Sequence, residues 1–266
     1  MSRAEDTHAT NLKNIFNTIE DAGYSAIMLV YDPLHADYLI KTAHALNKNH
    51  NLKYIFAMRA YAISPEYCAM ITNAYDEIVP GKLIFNIAAG DEFQMKNNEV
   101  GLDGVVDGEI LLNNNDKRIE HVSKFLEKFK KLPTIKKMPE LIISGKSDKT
   151  LENVVKYGDS TLCMYYDFLK EPEKFMVVKK RIAVASCLIR EKNELEDSIK
   201  KLKEFQADSF TLYGTKNEVK EKILELYKSG ATHVMLTKHH FDEKSYLIHE
   251  MVKEFILENK NNEKNN

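Results

Sequence analysis

Residues 52–90, LKYIFAMRAYAISPEYCAMITNAYDEIVPGKLIFNIAAG, contain the pattern that decides the fold class. Two apolar runs of strand length, 52–59 and 82–90, enclose an amphipathic segment at 65–78. Ser64-Pro65 is a typical helix start, because serine caps the first turn and proline suits its first position. A strand, a helix and a strand in this order predict two parallel strands joined by a crossover helix.

The same alternation continues on both sides of this segment. Seven strands are predicted in total, and the other five lie at 24–30, 140–145, 160–166, 181–189 and 232–237. Strands that are apolar on both faces are typical of a buried parallel sheet. We therefore predict an α/β fold of the TIM (β/α)8 type, in preference to an open doubly wound sheet. Its first strand, ahead of residue 10, is expected to be irregular or missing, and the interval 190–214 leaves no room for a long late insertion.

Length and composition fit a single domain over residues 1–258, followed by a disordered polar tail at 259–266. The net charge of −2 gives no indication of binding to nucleic acid or to a membrane surface. Three scattered cysteines fit a reducing compartment and exclude a disulfide framework. The first 20 residues have no apolar signal core, so we expect a cytoplasmic protein.

The stretch PELIISGKSDKT, residues 139–150, raises the question of a phosphate site. It is not a nucleotide-binding P-loop, because Glu140 stands where that motif needs its first glycine. A strand ends here, Gly145 turns the chain, and Ser147 is placed to cap the next helix. The free N–H groups of that helix start attract anions, and Lys146 adds a positive charge. An ordinary capped turn without a ligand is the alternative interpretation.

In such a barrel, function lies where the strands end. The residues predicted at those ends are Tyr31, Asp32, Met58, Arg59, Ala88, Ala89, Gly90, Asp91, Gly145, Lys146, Ser147, Tyr165, Tyr166, Leu188, Ile189, Arg190, Thr237, Lys238, His239 and His240. No pair of acids suggests glycoside hydrolysis, and no metal site is predicted. His35 and Asp37 form either an acid/base pair or an ordinary surface pair. An anion site with few acids or bases suits an enzyme whose cofactor carries the reaction.

Several segments in order resemble the luciferase-like flavin monooxygenases, and most of all their alkanesulfonate monooxygenase branch. The strand ending in Arg59, the Ser64-Pro65 helix start and the segment GKLIFNIAAGD (81–91) follow the family's pattern. PELIISGKSD (139–148), RIAVASCLIRE (181–191) and GTKNEVKEKILELYKSGATHVML (214–236) come in family order. The resemblance covers roughly residues 10–258.

The resemblance implies a flavin-dependent monooxygenase that uses reduced FMN and dioxygen to oxidise a small organic substrate. FMN would be bound by Met58, Ala88, Ala89 and Gly90 around its ring and by Gly145, Lys146 and Ser147 at its phosphate. Arg59 and Arg181 would stabilise the flavin or an anionic substrate, and Tyr165 or His35 would transfer protons.

The resemblance also implies partners. A separate flavin reductase would supply the reduced cofactor, and the chain would form a homo- or hetero-oligomer. A deazaflavin in place of FMN stays open. A non-catalytic flavin-binding subunit of a two-component system is the main alternative. An unrelated TIM-barrel enzyme that acts on a phosphorylated metabolite is the other.

Overall fold

A computed structural model of the 266-residue chain describes residues 9–30, 42–43, 46, 51–90, 114–239 and 242–264. These residues divide into two compact units. The first unit holds the described residues within 9–16 and 25–161, and the second holds those within 17–24 and 162–264. Each unit has its own strands and its own packing, so the two are described in turn.

The first unit repeats strand and helix. Its elements, with helix α1 that begins in it, are α1 (Ala9–Asp21), β1 (Ala26–Val30), β2 (Lys53–Arg59), α2 (Pro65–Ile78), β3 (Leu83–Ala88), α3 (Asn115–Lys130), β4 (Glu140–Ser144) and α4 (Asp148–Tyr157). Strands β1 to β4 pair in sequence order, and every pair is parallel. The crossover unit predicted from residues 52–90 is confirmed, and the bounds of α2 match the prediction.

Aromatic contacts hold the helices of the first unit against one face of its strands. The ring of Phe56 meets that of Tyr75 in α2 at 5.1 Å, and Phe85 meets Phe129 in α3 at 6.0 Å. Phe85 and Phe129 are almost fully buried. Burying an aromatic side chain of this size contributes about 1.5–3 kcal/mol, so these contacts are a large part of the unit's stability.

The second unit is built around one long strand. Its elements, with strand β5 that ends in it, are β5 (Ser160–Met164), α5 (Tyr165–Lys170), β6 (Lys180–Ile189), α6 (Leu195–Glu204), β7 (Thr211–Gly214), α7 (Lys216–Lys228), β8 (His233–Lys238) and α8 (Tyr246–Lys264). Short 3₁₀ turns occupy Pro172–Phe175 and Asp208–Phe210. Strand β6 pairs in parallel with β7 through Ser186–Ile189 and with β8 through Ile182–Cys187.

The structure differs from the sequence-based expectations at three places. The eighth strand is β7 at Thr211–Gly214, whereas the sequence placed it ahead of residue 10, and residues 1–8 lie outside the described part. Strand β5 ends at Met164, so Tyr165 begins a helix. Helix α8 continues to Lys264, although a disordered tail was predicted from residue 259. Once α8 is anchored by its buried side chains, each further residue extends it at little cost.

Helix starts follow the sequence signals. Ser64 and Ser147 accept hydrogen bonds from the backbone N–H groups of Tyr67 and Thr150. Thr215 and Glu218 form the reciprocal capping box that their spacing predicts. None of the helices in the described part of the chain has the length and apolar content needed to span a membrane.

Alkaline solution is expected to destabilise the fold through its buried thiols. Burial raises the pKa of Cys68 and of Cys187 to about 12, from an ordinary value of 9.0. The unfolded chain therefore loses these protons first, and the stabilising contribution is lost as pH rises from about 9 towards 12. Urea unfolding between pH 8.5 and 10.5 measures this loss. The fall should be smaller in a Cys68→Ala variant, and an equal fall would show that Cys68 does not contribute.

Candidate active site

The pleat of β2 decides which of its side chains are available to a ligand. Met58 is buried, and its sulfur accepts a hydrogen bond from the thiol of Cys68 in α2 at 3.5 Å. Met58 therefore points to the helices, as Phe56 does. This corrects the prediction that Met58 lines a cofactor. Because strand side chains alternate, Ala57 and Arg59 point to the opposite face of the sheet.

Polar and small side chains share that opposite face at the C-terminal ends of β2, β3 and β4. The strand register places Arg59 beside Ala88 and Ala88 beside Ser144. Asn86 lies two residues before Ala88 in β3 and is buried. Its side-chain oxygen accepts a hydrogen bond from the Ser144 hydroxyl at 2.7 Å. We call this group of side chains, Arg59, Asn86, Ala88 and Ser144, the polar row. It combines one cation, a neutral hydrogen-bonding pair and a methyl group.

A tyrosine and a glycine adjoin the polar row. The Arg59 guanidinium donates to the Tyr61 hydroxyl at 2.9 Å. Gly90, just after β3, has a positive φ of 76°, and a Cβ there would lie 3.3 Å from the Tyr61 ring and 3.7 Å from the Arg59 side chain. Glycine tolerates both the conformation and the close approach. The structure therefore brings Arg59 and Gly90 together, and Ala89 precedes Gly90 in the same segment.

The turn after β4 carries the predicted anion site. Gly145 has φ +138°, and Thr161 donates to its carbonyl at 3.1 Å. The Ser147 hydroxyl caps α4 and lies 2.8 Å from the Thr150 hydroxyl. Since Ser147 is engaged in the cap, the donors left for an anion are backbone N–H groups of the first helical turn. Lys146 is exposed beside them.

Charges around this helix start are mixed. Lys146 and the N-terminal end of the α4 dipole are positive, whereas Asp148 in the first turn is negative and exposed. Lys149 forms an ion pair with Asp116 of α3 at 3.2 Å, in which both side chains are more than half exposed. Such a pair contributes little to stability. Binding of an anion here thus relies on Lys146 and the backbone, against the nearby Asp148 carboxylate.

Tyr165 lies in the second unit, at the first position of α5. Its hydroxyl donates to the Ser209 carbonyl at 3.2 Å, and its ring meets that of Tyr166 edge-on at 5.8 Å. Burial raises the pKa of Tyr165, with smaller contributions from Tyr213, Tyr166 and Asp208. The hydroxyl stays protonated at neutral pH, which suits a hydrogen-bond donor better than a base.

Arg181 stands at the wrong end of its strand for the predicted role. It is the second residue of β6, whose last residue is Ile189. At a rise of about 3.3 Å per residue, the two are about 26 Å apart. Its guanidinium donates to the carbonyls of Val178 and Gly230. Arg181 therefore ties two turns together at the N-terminal end of β6, and the structure does not support contact with a cofactor at the other end.

Sequence reasoning missed Asn86, Ser144 and Tyr61, although one signal for Asn86 was present. A single amide side chain inside the apolar run LIFNIA needs a hydrogen-bond partner when it is buried. Predicted His35, in contrast, lies outside the described residues. Between residue 9 and residue 264, the described part contains no group of three His, Cys, Asp or Glu side chains suited to hold a metal ion.

No protein-family model matches the chain. Solved structures resemble it over nearly its whole length, with low sequence identity. EDTA monooxygenase (EmoA) from Chelativorans sp. BNC1 has a TM-score of 0.72 and 10% identity, with 97% of this chain and 89% of that chain covered. Riboflavin lyase (RcaE), solved with modified FMN and riboflavin, has a TM-score of 0.68 and 13% identity over 97% and 88% of the two chains.

A third structure belongs to a reductase. The coenzyme F420-dependent tetrahydromethanopterin reductase from Methanopyrus kandleri has a TM-score of 0.63 and 14% identity, over 93% of this chain and 94% of that one. At such identities the likeness shows the fold. The chain has the parallel α/β fold of the TIM-barrel type that these structures share, as the sequence predicted. The placement among the luciferase-like flavin monooxygenases, and in their alkanesulfonate branch, stays a prediction.

The structural role of Arg181 has a direct test. Arg181→Gln removes two charge-assisted hydrogen bonds to backbone carbonyls, so we expect the free energy of unfolding to fall by about 2–3 kcal/mol. Urea denaturation measures the change, and Lys179→Gln, at an exposed neighbour, should change it by less than about 0.5 kcal/mol. An Arg181→Gln protein of unchanged stability that fails to bind a flavin would contradict this assignment.

Proposed function

We propose that this chain is a flavin-dependent monooxygenase that binds FMN along the polar row and oxidises a small organic substrate. The observation that carries the proposal is the grouping of Arg59, Asn86, Ala88 and Ser144 on one sheet face, directly before the anion-attracting start of α4. The chains of known structure that resemble it include EDTA monooxygenase and a riboflavin lyase with modified FMN, which supports the choice of cofactor class.

The small residues of this face fit a flat ring. Ala57 and Ala88 occupy neighbouring strands without side chains that reach far from the sheet. The backbone at Gly90 lies so close to Tyr61 that even a methyl group would be crowded there. Asn86 and Ser144 would offer hydrogen bonds to ring carbonyls or nitrogens, and Arg59 would stabilise negative charge on the reduced ring.

The turn after β4 fits a phosphorylated side chain. Gly145, Lys146 and Ser147 would hold the phosphate through backbone N–H groups and the Lys146 ammonium. Asp148 opposes this binding, so we expect moderate affinity and strong dependence on salt. Coenzyme F420 also carries a phosphorylated side chain, and the likeness to an F420-dependent reductase keeps a deazaflavin as the second candidate.

Reduced FMN would supply the electrons that activate dioxygen for oxidation of the substrate. The protein would bind and orient the ring, keep water away and provide a proton donor. Proton transfer by Tyr165, which stays protonated at neutral pH, stays an expectation of the sequence resemblance. A separate flavin reductase would provide the reduced cofactor, since the sequence has no dinucleotide-binding G-x-G-x-x-G motif.

Calorimetric titration of the purified protein with FMN, riboflavin and F420 tests the cofactor class. The proposal expects FMN to bind about tenfold or more tightly than riboflavin, because only FMN carries the phosphate. Turnover with reduced FMN and dioxygen then separates an enzyme from a non-catalytic flavin-binding subunit. Tighter binding of F420 would favour the deazaflavin alternative, and no binding of any of the three would contradict the proposal.

The phosphate position has a sharper test in Ser147→Asp. Aspartate caps a helix as well as serine does, so α4 should stay folded while a negative charge enters the phosphate site. We expect FMN affinity to fall about tenfold or more and riboflavin affinity to stay within about twofold. The matched control is Ser64→Asp, the same change at the cap of α2. Equal losses in the two variants would contradict a site at α4.

A further inference from the structure

The segment between β6 and β7 is weakly attached to the rest of the second unit. Residues 191–210, which we call the strap, contain α6 and the 3₁₀ turn Asp208–Phe210. Only two of its twenty residues, Leu202 and Ala207, are buried. They pack against Leu188 near the end of β6. So few buried apolar contacts are typical of segments that open without unfolding of the whole unit.

The strap also contains a strained residue. Gln206, two residues after the end of α6, has φ +52°, the left-handed conformation that glycine adopts more easily. The conformation lets the Ala207 N–H reach the Leu202 carbonyl at 2.8 Å and close the helix. The turn is therefore well formed, but part of its stabilisation is offset by strain at Gln206.

Hydrogen bonds fix the C-terminal end of the strap. Thr211 donates its hydroxyl proton to the Ala207 carbonyl at 2.6 Å. The same oxygen lies 2.7 Å from Nε2 of His239, so that nitrogen must carry the proton and donate to Thr211. Tyr165 adds its bond to the Ser209 carbonyl. Thr211 and Tyr165 thus bond directly to residues of the 207–209 segment, and His239 positions Thr211.

Charged side chains hold its N-terminal end instead. Lys244 donates to both carboxylate oxygens of Glu194, at 2.6 and 2.7 Å. Lys244 is positioned by its backbone N–H, which donates to Asp242. Asp242 in turn forms a buried ion pair with Arg190 at 2.8 Å. The contacts run from Arg190 to Asp242, then to Lys244 and Glu194. Positive and negative side chains therefore alternate along this chain of contacts.

The two ion pairs differ in exposure. The Arg190–Asp242 side chains are 10% and 0% exposed, whereas Lys244 and Glu194 are 41% and 39% exposed. A buried pair is costly to break because each charge would be left uncompensated, and an exposed pair breaks easily. The Lys244–Glu194 contact is therefore the point at which the strap separates most readily from the residues after β8.

We propose that the strap is a movable cover over the C-terminal end of β6, held closed by the Lys244–Glu194 pair as an electrostatic latch. The bonds of Thr211, His239 and Tyr165 act as the fixed end about which α6 swings. Opening uncovers Leu188 with the aromatic rings of Phe210 and Tyr213, which makes the end of β6 accessible to an apolar ligand. This inference concerns the second unit and does not depend on the identity of a cofactor.

Hydrogen exchange measured by mass spectrometry tests the latch. In Lys244→Gln and in Glu194→Gln, we expect amides of residues 195–205 to exchange about three- to fivefold faster than in the wild type. Amides of β6 and α7 should keep their rates, because the buried Arg190–Asp242 pair is intact. About 1 M salt should produce the same acceleration in the wild type, since it screens exposed pairs.

Two controls decide between a latch and a general loss of stability. Lys216→Gln removes a lysine that bridges Glu250 and Glu254 between α7 and α8, and it should leave exchange in the strap unchanged. Glu194→Lys combined with Lys244→Glu should slow the exchange by about threefold relative to Glu194→Lys alone. The latch is overturned if strap exchange does not respond to either Gln variant, or if β6 and α7 accelerate equally.

Discussion

The alternation of side chains along β2, β3 and β4 is the constraint on which the candidate active site depends. Helices α2 and α3 cover one face, and they take up the aromatic side chains Phe56 and Phe85 together with Met58. The other face receives every second residue, which places Arg59, Asn86 and Ser144 together near the strand ends. A shift of one residue in any strand would bury these polar groups against the helices.

This arrangement places the stabilising aromatic contacts of the first unit on one face of its strands and the proposed binding residues on the other. Removing an aromatic ring from the helix side costs packing energy. The polar row contributes the hydrogen bond between Ser144 and Asn86 in place of such packing. In the second unit, two arginines near opposite ends of β6 both have structural roles. Arg181 supports the N-terminal end of β6, and Arg190 pairs with Asp242 near its C-terminal end. Neither arginine is therefore a candidate for binding an anionic substrate.

Much of the fold follows from the sequence because the signals are local. Apolar runs of strand length, Ser64-Pro65 and the Thr215–Glu218 capping box identify elements without knowledge of tertiary contacts. Strand β7 is only four residues long, so its pairing with β6 could not be recognised from its composition. The last turns of α8 form because each residue extends a helix that is already anchored. Their polar composition gives no sign of this in the sequence.

The candidate site was predicted less completely than the fold. Arg59 and Gly90 were singled out because they lie at or just after the end of a strand, but the face that a strand residue occupies depends on contacts distant in sequence. Met58 and Arg59 are adjacent and point to opposite faces, and only the contact of Met58 with Cys68 distinguishes them. For Asn86, the partner that satisfies its amide lies 58 residues further along the chain.

Comparing Ala88→Leu with Met58→Leu tests the central claim most directly, because the first change enlarges a side chain on the proposed binding face and the second is nearly isosteric on the helix face. Circular dichroism confirms that each variant is folded, and calorimetry measures its FMN affinity. The account predicts that Ala88→Leu lowers FMN affinity by about tenfold or more, while Met58→Leu stays within about twofold of the wild type. A folded Ala88→Leu protein that binds FMN like the wild type, or a selective loss in Met58→Leu, would contradict it.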